Sequence, residues 1–351
     1  MKIGAIPETL AERLALAAGL VPLPLAETLP TLLLTRSILA AARFGFFEAL
    51  AGGPLTAGEV AERRGTDPRA TRALLDTQVS LGYVTVSGGR SGRYELTAEA
   101  RRWLLPDSPK SLHDSLLYRY LEWDWIARLD DFVKTGRHLD FHAEMSAEQW
   151  GLYQGGMAVL GRLGGGELAR RMPVPAGARD LLDIGGSHGL FSVALCRRHP
   201  RLKAVVLDLP EAIEHAAPIL AREKMDDRVI HRPGDALKED LGSEAWDVVL
   251  LSNLAHHFDD AQNRELARRI ARSLRPGGVF VIQEIIRRES PEEGGQIGAL
   301  FDLYFALTSE AGTWSFEEMA SWQRDAGLRP KKPVRLRMSP GLGLQMAVKG
   351  T

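Results

Sequence analysis

The chain has 351 residues, 45% of them hydrophobic, and a formal net charge of −1. That is enough for two domains and a sizeable core, and too little charge for a global pull toward nucleic acid or an anionic membrane. A single cysteine, Cys196, excludes an internal disulfide framework and any cysteine-based zinc site.

The N-terminus has no basic region followed by an apolar core and a cleavage site, so a cytoplasmic protein is expected. Leu29 to Leu39 is apolar, but Thr31, Thr35 and Arg36 interrupt it short of a membrane span. The pattern from Thr35 to Leu50 predicts one amphipathic helix carrying Ala40, Ala41, Phe44, Phe46 and Phe47. Thr56 with Glu59 three residues on predicts a capping box and a second helix. Gly65-Thr66-Asp67-Pro68 turns the chain into a third helix that runs to Leu81. Gly82–Val86 and Gly92–Leu96 then bracket a glycine-rich hairpin. Helix-turn-helix plus hairpin is a winged-helix pattern. A DNA reader needs a basic footprint, and this third helix offers only Arg69 and Arg72, with Asp67 and Asp76 beside them. Nucleic acid is therefore not the expected partner.

Two aromatic stretches follow, Tyr118–Trp125 and Trp150–Met157. Tyr153 and Met157 fall on one helix face. Gly161 and Gly164 to Gly166 predict a flexible, hinge-like junction.

From Arg179 to Pro200 a short apolar run (Leu181, Leu182, Ile184) carries Asp183, breaks into Gly185-Gly186-Ser187-His188-Gly189, and resumes as a helical pattern. Strand, tight glycine loop and helix make up the ligand-binding corner of an open α/β sheet. The glycines do not fit G-x-G-x-x-G, and a carboxylate at this strand end repels a pyrophosphate. Asp183 instead suits a phosphate-free ligand carrying an ammonium and a sulfonium, as S-adenosylmethionine does. Further strands follow at Ala204–Asp208, Arg228–His231, Trp246–Asn253 and Val279–Glu284. The alternation predicts an α/β fold, a Rossmann-like doubly wound parallel sheet, behind an N-terminal mainly α winged-helix domain. Asp183, Asp208, Asp235, His256 and Glu284 all fall at the carboxyl ends of strands, where such sheets bind ligands. Asp208 is placed to hold both ribose hydroxyls, and Asp235 to meet the adenine end. No His, Asp or Glu grouping has metal spacing.

Together the segments DIGGSHG, VVLDLP, GDAL, HHFDD and LRPGG resemble those of class I S-adenosylmethionine-dependent methyltransferases. More narrowly, from about Leu29 to Val348 the chain resembles the small-molecule O-methyltransferases of plant caffeate and flavonoid and of bacterial polyketide metabolism. The resemblance implies residues 1–108 as a winged-helix dimerisation domain, 109–170 as a helical, substrate-lining region and 171–351 as the cofactor domain. It implies a homodimer, a small-molecule acceptor, and neither nucleic acid nor membrane as partner. His256 takes the family's general-base position and Glu284 that of its orienting carboxylate. The expected cofactor set is Asp183, Gly185, Gly186, Gly189, Asp208, Leu209, Asp235, Ala236, Ser252 and Phe258. The expected acceptor set is Tyr153, Met157, His257, Phe301 and Phe305.

The chain departs from that family's pattern at three places. His257 stands where the family usually has Asp, Phe258 where it has Trp, and the second acid expected before the last helix falls on Thr313, with Glu310 nearby. Three readings remain open on sequence: methyl transfer to an aromatic or polyketide-like hydroxyl, transfer to sulfur or carbon, and a winged-helix regulator with a vestigial cofactor domain.

Overall fold

The computed structural model describes residues 3–88, 92–290, 292, 295–339 and 341–351. The chain divides between Tyr120 and Leu121 into two compact units.

The first unit is built on one apolar core that includes Ala41, Phe46, Phe47, Leu50, Val60, Leu75 and Tyr94. The predicted single helix from Thr35 is two: Leu29–Arg43 and Phe46–Ala49. Gly45 separates them at φ 68°, and a Cβ there would stand 2.8 Å from the Arg64 guanidinium carbon. The capping box forms as read: Glu59 N–H donates to Thr56 Oγ1 at 3.2 Å and Thr56 N–H to Glu59 Oε2 at 2.6 Å. Asp67 caps the next helix, Pro68–Ser80. Strands β1 (Val84–Ser87) and β2 (Arg93–Leu96) pair antiparallel. The tip of that hairpin, residues 89–91, lies outside the described residues. Leu29, Leu32, Leu33 and Leu34 stay exposed. The stretch Leu23–Arg43 is long and apolar enough, by length and composition, to cross a bilayer, so the interruptions at Thr31, Thr35 and Arg36 do not exclude a span as the sequence suggested.

The second unit centres on a mixed sheet. Its strands are β3 (Asp180–Ile184), β4 (Lys203–Asp208), β5 (Val229–Pro233), β6 (Trp246–Ser252), β7 (Leu274–Ile285), β8 (Arg329–Pro330), β9 (Val334–Arg335) and β10 (Leu342–Val348). The order is β5-β4-β3-β6-β7-β10-β8, with β9 on β10. The first five pair in parallel, and β10 joins β7 antiparallel. The inner parallel strands carry runs of Val, Leu, Ile and Phe because both faces are covered, whereas the edge strand β5 holds His231 and Arg232. One apolar cluster packs Leu181, Val206 and Leu250 under the helix Leu190–Arg198; the other packs Leu182, Val249 and Ile282 under the helix Asp260–Ser273. Strand order reverses between β3 and β6, so their carboxyl ends border the binding crevice.

Gly161, Gly164 and Gly165 do not form the expected hinge. They lie inside one continuous helix, Ala147–Arg171, on the face that meets the helix Leu190–Arg198. A Cβ on Gly161 would stand 2.6 Å from His188 Cε1, and one on Gly165 3.1 Å from Ala194 Cβ. These glycines let two backbones approach closely; they do not loosen the chain.

Candidate active site

The glycine loop is threaded tightly between its neighbours. A Cβ on Gly185 would come within 2.6 Å of Leu254 Cδ2, and one on Gly186 within 2.5 Å of Asp183 Cγ. Ser187 adopts a left-handed backbone (φ 49°) without being glycine. Its N–H donates to Asp208 Oδ2 at 2.7 Å, its carbonyl accepts from His231 Nε2 at 2.8 Å, and its hydroxyl bonds Gln154 Oε1. The other Asp208 oxygen accepts from Leu209 N–H at 2.8 Å. Burial pushes the Asp208 carboxyl up to about 6, and the two amide bonds oppose it. Each carboxylate oxygen keeps a further lone pair, so Asp208 can receive two vicinal hydroxyls. Asp235 is held below the ordinary range: partial burial raises it, but Lys238 and the Leu237 N–H outweigh that.

A cavity of about 500 Å³ runs past these groups. Of the expected cofactor residues, Gly185, Asp208, Leu209, Asp235, Ala236 and Phe258 line it. Asp183, Gly186, Gly189 and Ser252 lie outside that wall. Asp183 departs from the expectation most. It does not face a cation; it is fully buried beneath Gly186, where Ser192 Oγ donates to its Oδ2 at 2.7 Å and its Oδ1 has no hydrogen-bond partner among the described residues. Burial raises its carboxyl to about 7, partly offset by Ser192. Its place inside the sheet, in register with Val206 and Leu250, sends the side chain under the loop. Ser252 is likewise buried and accepts from Gln283 Nε2 at 2.9 Å.

The turn after β6 is held by its backbone. Asn253 takes a left-handed φ of 51°, and its N–H donates to Gln283 O at 2.8 Å. Asn263 Nδ2 donates to the carbonyls of Ala255 (2.9 Å), Phe258 (2.9 Å) and Asp259 (3.1 Å). Trp314 Nε1 reaches the same Ala255 carbonyl at 2.9 Å from the far side. Within this clamp, His256 Nδ1 lies 3.0 and 3.1 Å from the two oxygens of the fully buried Glu284. Phe305 stacks on the His256 ring, with centroids 3.9 Å apart. His256 is itself only 4% exposed and stands behind His257, which lines the cavity.

Of the expected acceptor residues, Tyr153 and His257 line the cavity, whereas Met157, Phe301 and Phe305 do not. Phe305 covers His256, and Phe301 packs 6.1 Å from Phe305. Thr313, where a second acid was expected, is buried and hydrogen-bonded to Asp302 Oδ1 by both its N–H (2.9 Å) and its hydroxyl. Glu310 is on the cavity wall.

Sequence reasoning passed over Phe141, His142 and Gln154. His142 lies 5.0 Å from His257 and 5.4 Å from both Trp150 and Tyr153, centroid to centroid. The Phe141–Glu144 helix that carries it is anchored by Leu139 N–H to Leu307 O at 2.7 Å. A histidine following Phe141 in a four-residue helix leaves no periodic signal. Among the described residues, no group of three or more His, Cys, Asp or Glu is arranged to hold a metal.

Sheet order, glycine loop and the acid closing β4 give the doubly wound fold with its ligand crevice at the switch point, and the fold class is that of the class I S-adenosylmethionine-dependent methyltransferases. A family model for the O-methyltransferase domain matches residues 134–329, and one for the O-methyltransferase dimerisation domain matches residues 27–106. The chain is 30% identical over 314 residues to a 3-hydroxy-5-methyl-1-naphthoate 3-O-methyltransferase of Streptomyces sahachiroi, covering 88% of this chain and 89% of that one. It is 28% identical to the acetylserotonin O-methyltransferase of Bos taurus, covering 88% and 92%. Its fold matches the crystal structure of human N-acetylserotonin methyltransferase in complex with its methyl donor at TM-score 0.82, with 21% identity over 99% of this chain and all of that one. The chain belongs to the O-methyltransferase family and is an S-adenosylmethionine-dependent O-methyltransferase. The residues fit that donor. Asp208 offers a diol acceptor, Leu209 and Phe258 offer apolar surface, and no Lys or Arg among the described residues lines the cavity to call for a phosphate.

Proposed function

We propose that the protein methylates a hydroxyl of a small aromatic or polyketide-like acceptor, with His256 as general base and Glu284 as its positioning partner. The observation that carries this is the buried contact of His256 Nδ1 with both Glu284 oxygens. A hydrogen on Nδ1, donated to the carboxylate, leaves the ring's lone pair on Nε2. When bound, S-adenosylmethionine supplies a methyl group on a sulfonium that is already a good leaving group. A phenol attacks it weakly near pH 7, because its own pKa is about 10. His256 Nε2 takes the hydroxyl proton as the oxygen–methyl bond forms, and Glu284 stabilises the imidazolium that results. His256 lies directly beside His257 on the side of the cavity wall, so the acceptor's hydroxyl approaches it next to the His257 ring. Asp208 receives the ribose hydroxyls, and Asp235 and Phe258 border the adenine.

The acceptor class is supported by the relatives' names, which include the naphthoate enzyme, a tetracenomycin 8-O-methyltransferase of Streptomyces glaucescens and a mitomycin 6-O-methyltransferase of Streptomyces lavendulae. Residues 1–108 pair two copies through the exposed leucines of Leu29–Arg43, 109–170 line the acceptor space and 171–351 hold the cofactor. We place the protein in the cytoplasm: among the described residues, the stretch apolar enough for a bilayer, Leu23–Arg43, overlaps the dimerisation match.

The test is His256→Ala, assayed with S-adenosylmethionine and a panel of phenols, with products read by mass spectrometry. Turnover is expected to fall at least about 100-fold, while the affinity for S-adenosylhomocysteine stays within about twofold by calorimetry. Turnover within a few-fold of wild type ends the base assignment. A product methylated on carbon or sulfur ends the hydroxyl assignment.

A further inference from the structure

We propose that His257 and His142 read a second, uncharged oxygen on the acceptor beside the hydroxyl that is methylated, so that the acceptor is a neutral flat ring bearing two neighbouring oxygens. This rests on the reading of His256 given above. The three imidazoles form a row: His142 to His257 is 5.0 Å and His257 to His256 is 4.3 Å between centroids. Only the last is committed to the protein, through Glu284. Neither the His142 nor the His257 side chain hydrogen-bonds to another described residue, and both line the cavity.

Each open imidazole offers one N–H donor and one lone pair, which match a hydroxyl or a carbonyl. Burial, reinforced by the neighbouring histidines, holds His257 well below its ordinary pKa. Burial also pushes His142 down to about 4, against the nearby Asp140. Both rings are therefore presented uncharged. The walls carry Asp140, Asp208, Asp235 and Glu310 and, among the described residues, no Lys or Arg. A carboxylate or phosphate on the acceptor would meet Asp140 and Glu310, the two wall acids not given to the cofactor, and no wall Lys or Arg among the described residues. Phe141, Trp150 and Tyr153 complete this wall with aromatic surface suited to a flat ring. Oxygens on adjacent ring carbons lie within hydrogen-bonding reach of one another, so one can meet His256 while the other meets His257 and His142.

The experiment is calorimetry with the full chain saturated in S-adenosylhomocysteine. Four probes are compared: 2-naphthol, 2,3-dihydroxynaphthalene, 3-hydroxy-2-naphthoate and the methyl ester of that acid. The diol and the ester are expected to bind about 10- to 100-fold tighter than naphthol and the free acid. His257→Phe should bring the diol to the level of naphthol without changing affinity for S-adenosylhomocysteine, and His257→Asn should restore part of the preference. Equal binding of all four, tightest binding of the free acid, no binding at millimolar concentration, or a diol preference that survives His257→Phe each overturns the proposal. The wild-type ranking alone decides it should a variant fail to fold. If the diol binds with the expected preference but is not methylated, the reading of oxygen specificity stands and the His256 mechanism is what fails.

Discussion

Replacing Glu284 by Gln keeps the size of the side chain and removes its charge. The cost follows from the geometry. With Nδ1 3.0 and 3.1 Å from the two oxygens, the charge centres of an imidazolium and Glu284 lie about 4 Å apart. At an effective dielectric of about 20 that attraction is worth about 4 kcal/mol. Part of it is already present before proton transfer, because a neutral N–H bonded to a carboxylate contributes about 1.5 kcal/mol or more. The difference felt by the transition state is then about 1–2.5 kcal/mol, a fall in kcat of about 5- to 70-fold. Neither Glu284 nor His256 lines the cavity, so affinity for S-adenosylhomocysteine should be unchanged. The assay is single-turnover methyl transfer under saturating donor, paired with calorimetry. A Glu284→Gln enzyme within threefold of wild type in kcat would refute the positioning role.

Asp183→Asn should stabilise the protein near neutral pH. An acid whose folded pKa is raised, here to about 7, contributes stability that is complete below its unfolded value and is lost as pH rises from about 4 to about 7. Melting scans at both ends of that window should show the variant gaining at the upper end and not at the lower; an equal shift at both would contradict the burial argument. Gly161→Ala should cost about 1–3 kcal/mol in urea unfolding by overpacking against His188 and Leu190, and a neutral result would return the hinge reading to consideration. Leu33→Glu places a charge on the exposed apolar helix and should turn a dimer into a monomer in sedimentation. A wild-type monomer at micromolar concentration would remove the basis for that expectation.

What the residues announced in advance was the sheet. The parallel strands β3, β4 and β7 carry apolar runs closed by glycine or an acid, and the capping box at Thr56 was legible because its signature is local. The antiparallel β10 (Leu342–Val348) went unread: it lacks a following helix, the cue by which the others were recognised. The acid at Asp183 was read by chain position, but which way a strand residue faces depends on register with β4 and β6. His256 and Glu284 were paired through resemblance, 28 residues apart, and the fold brings them into contact. His142 is 115 residues from His257, and only tertiary packing makes them neighbours. The glycines of Ala147–Arg171 were misread because a composition that loosens a loop can, inside a helix, serve close packing.

The turn at Ala255–Asp259 closes on itself through Phe258 N–H to Ala255 O at 3.2 Å and is clamped by side chains from outside it. Asn263 gathers three of its carbonyls and Trp314 meets one of them again. None of these bonds involves the side chain at position 257. The position behaves as a socket: its contents can be exchanged while the neighbouring His256 keeps its aim. On the reading proposed above, evolution or a protein engineer can therefore retune acceptor preference at position 257 without rebuilding the His256–Glu284 pair.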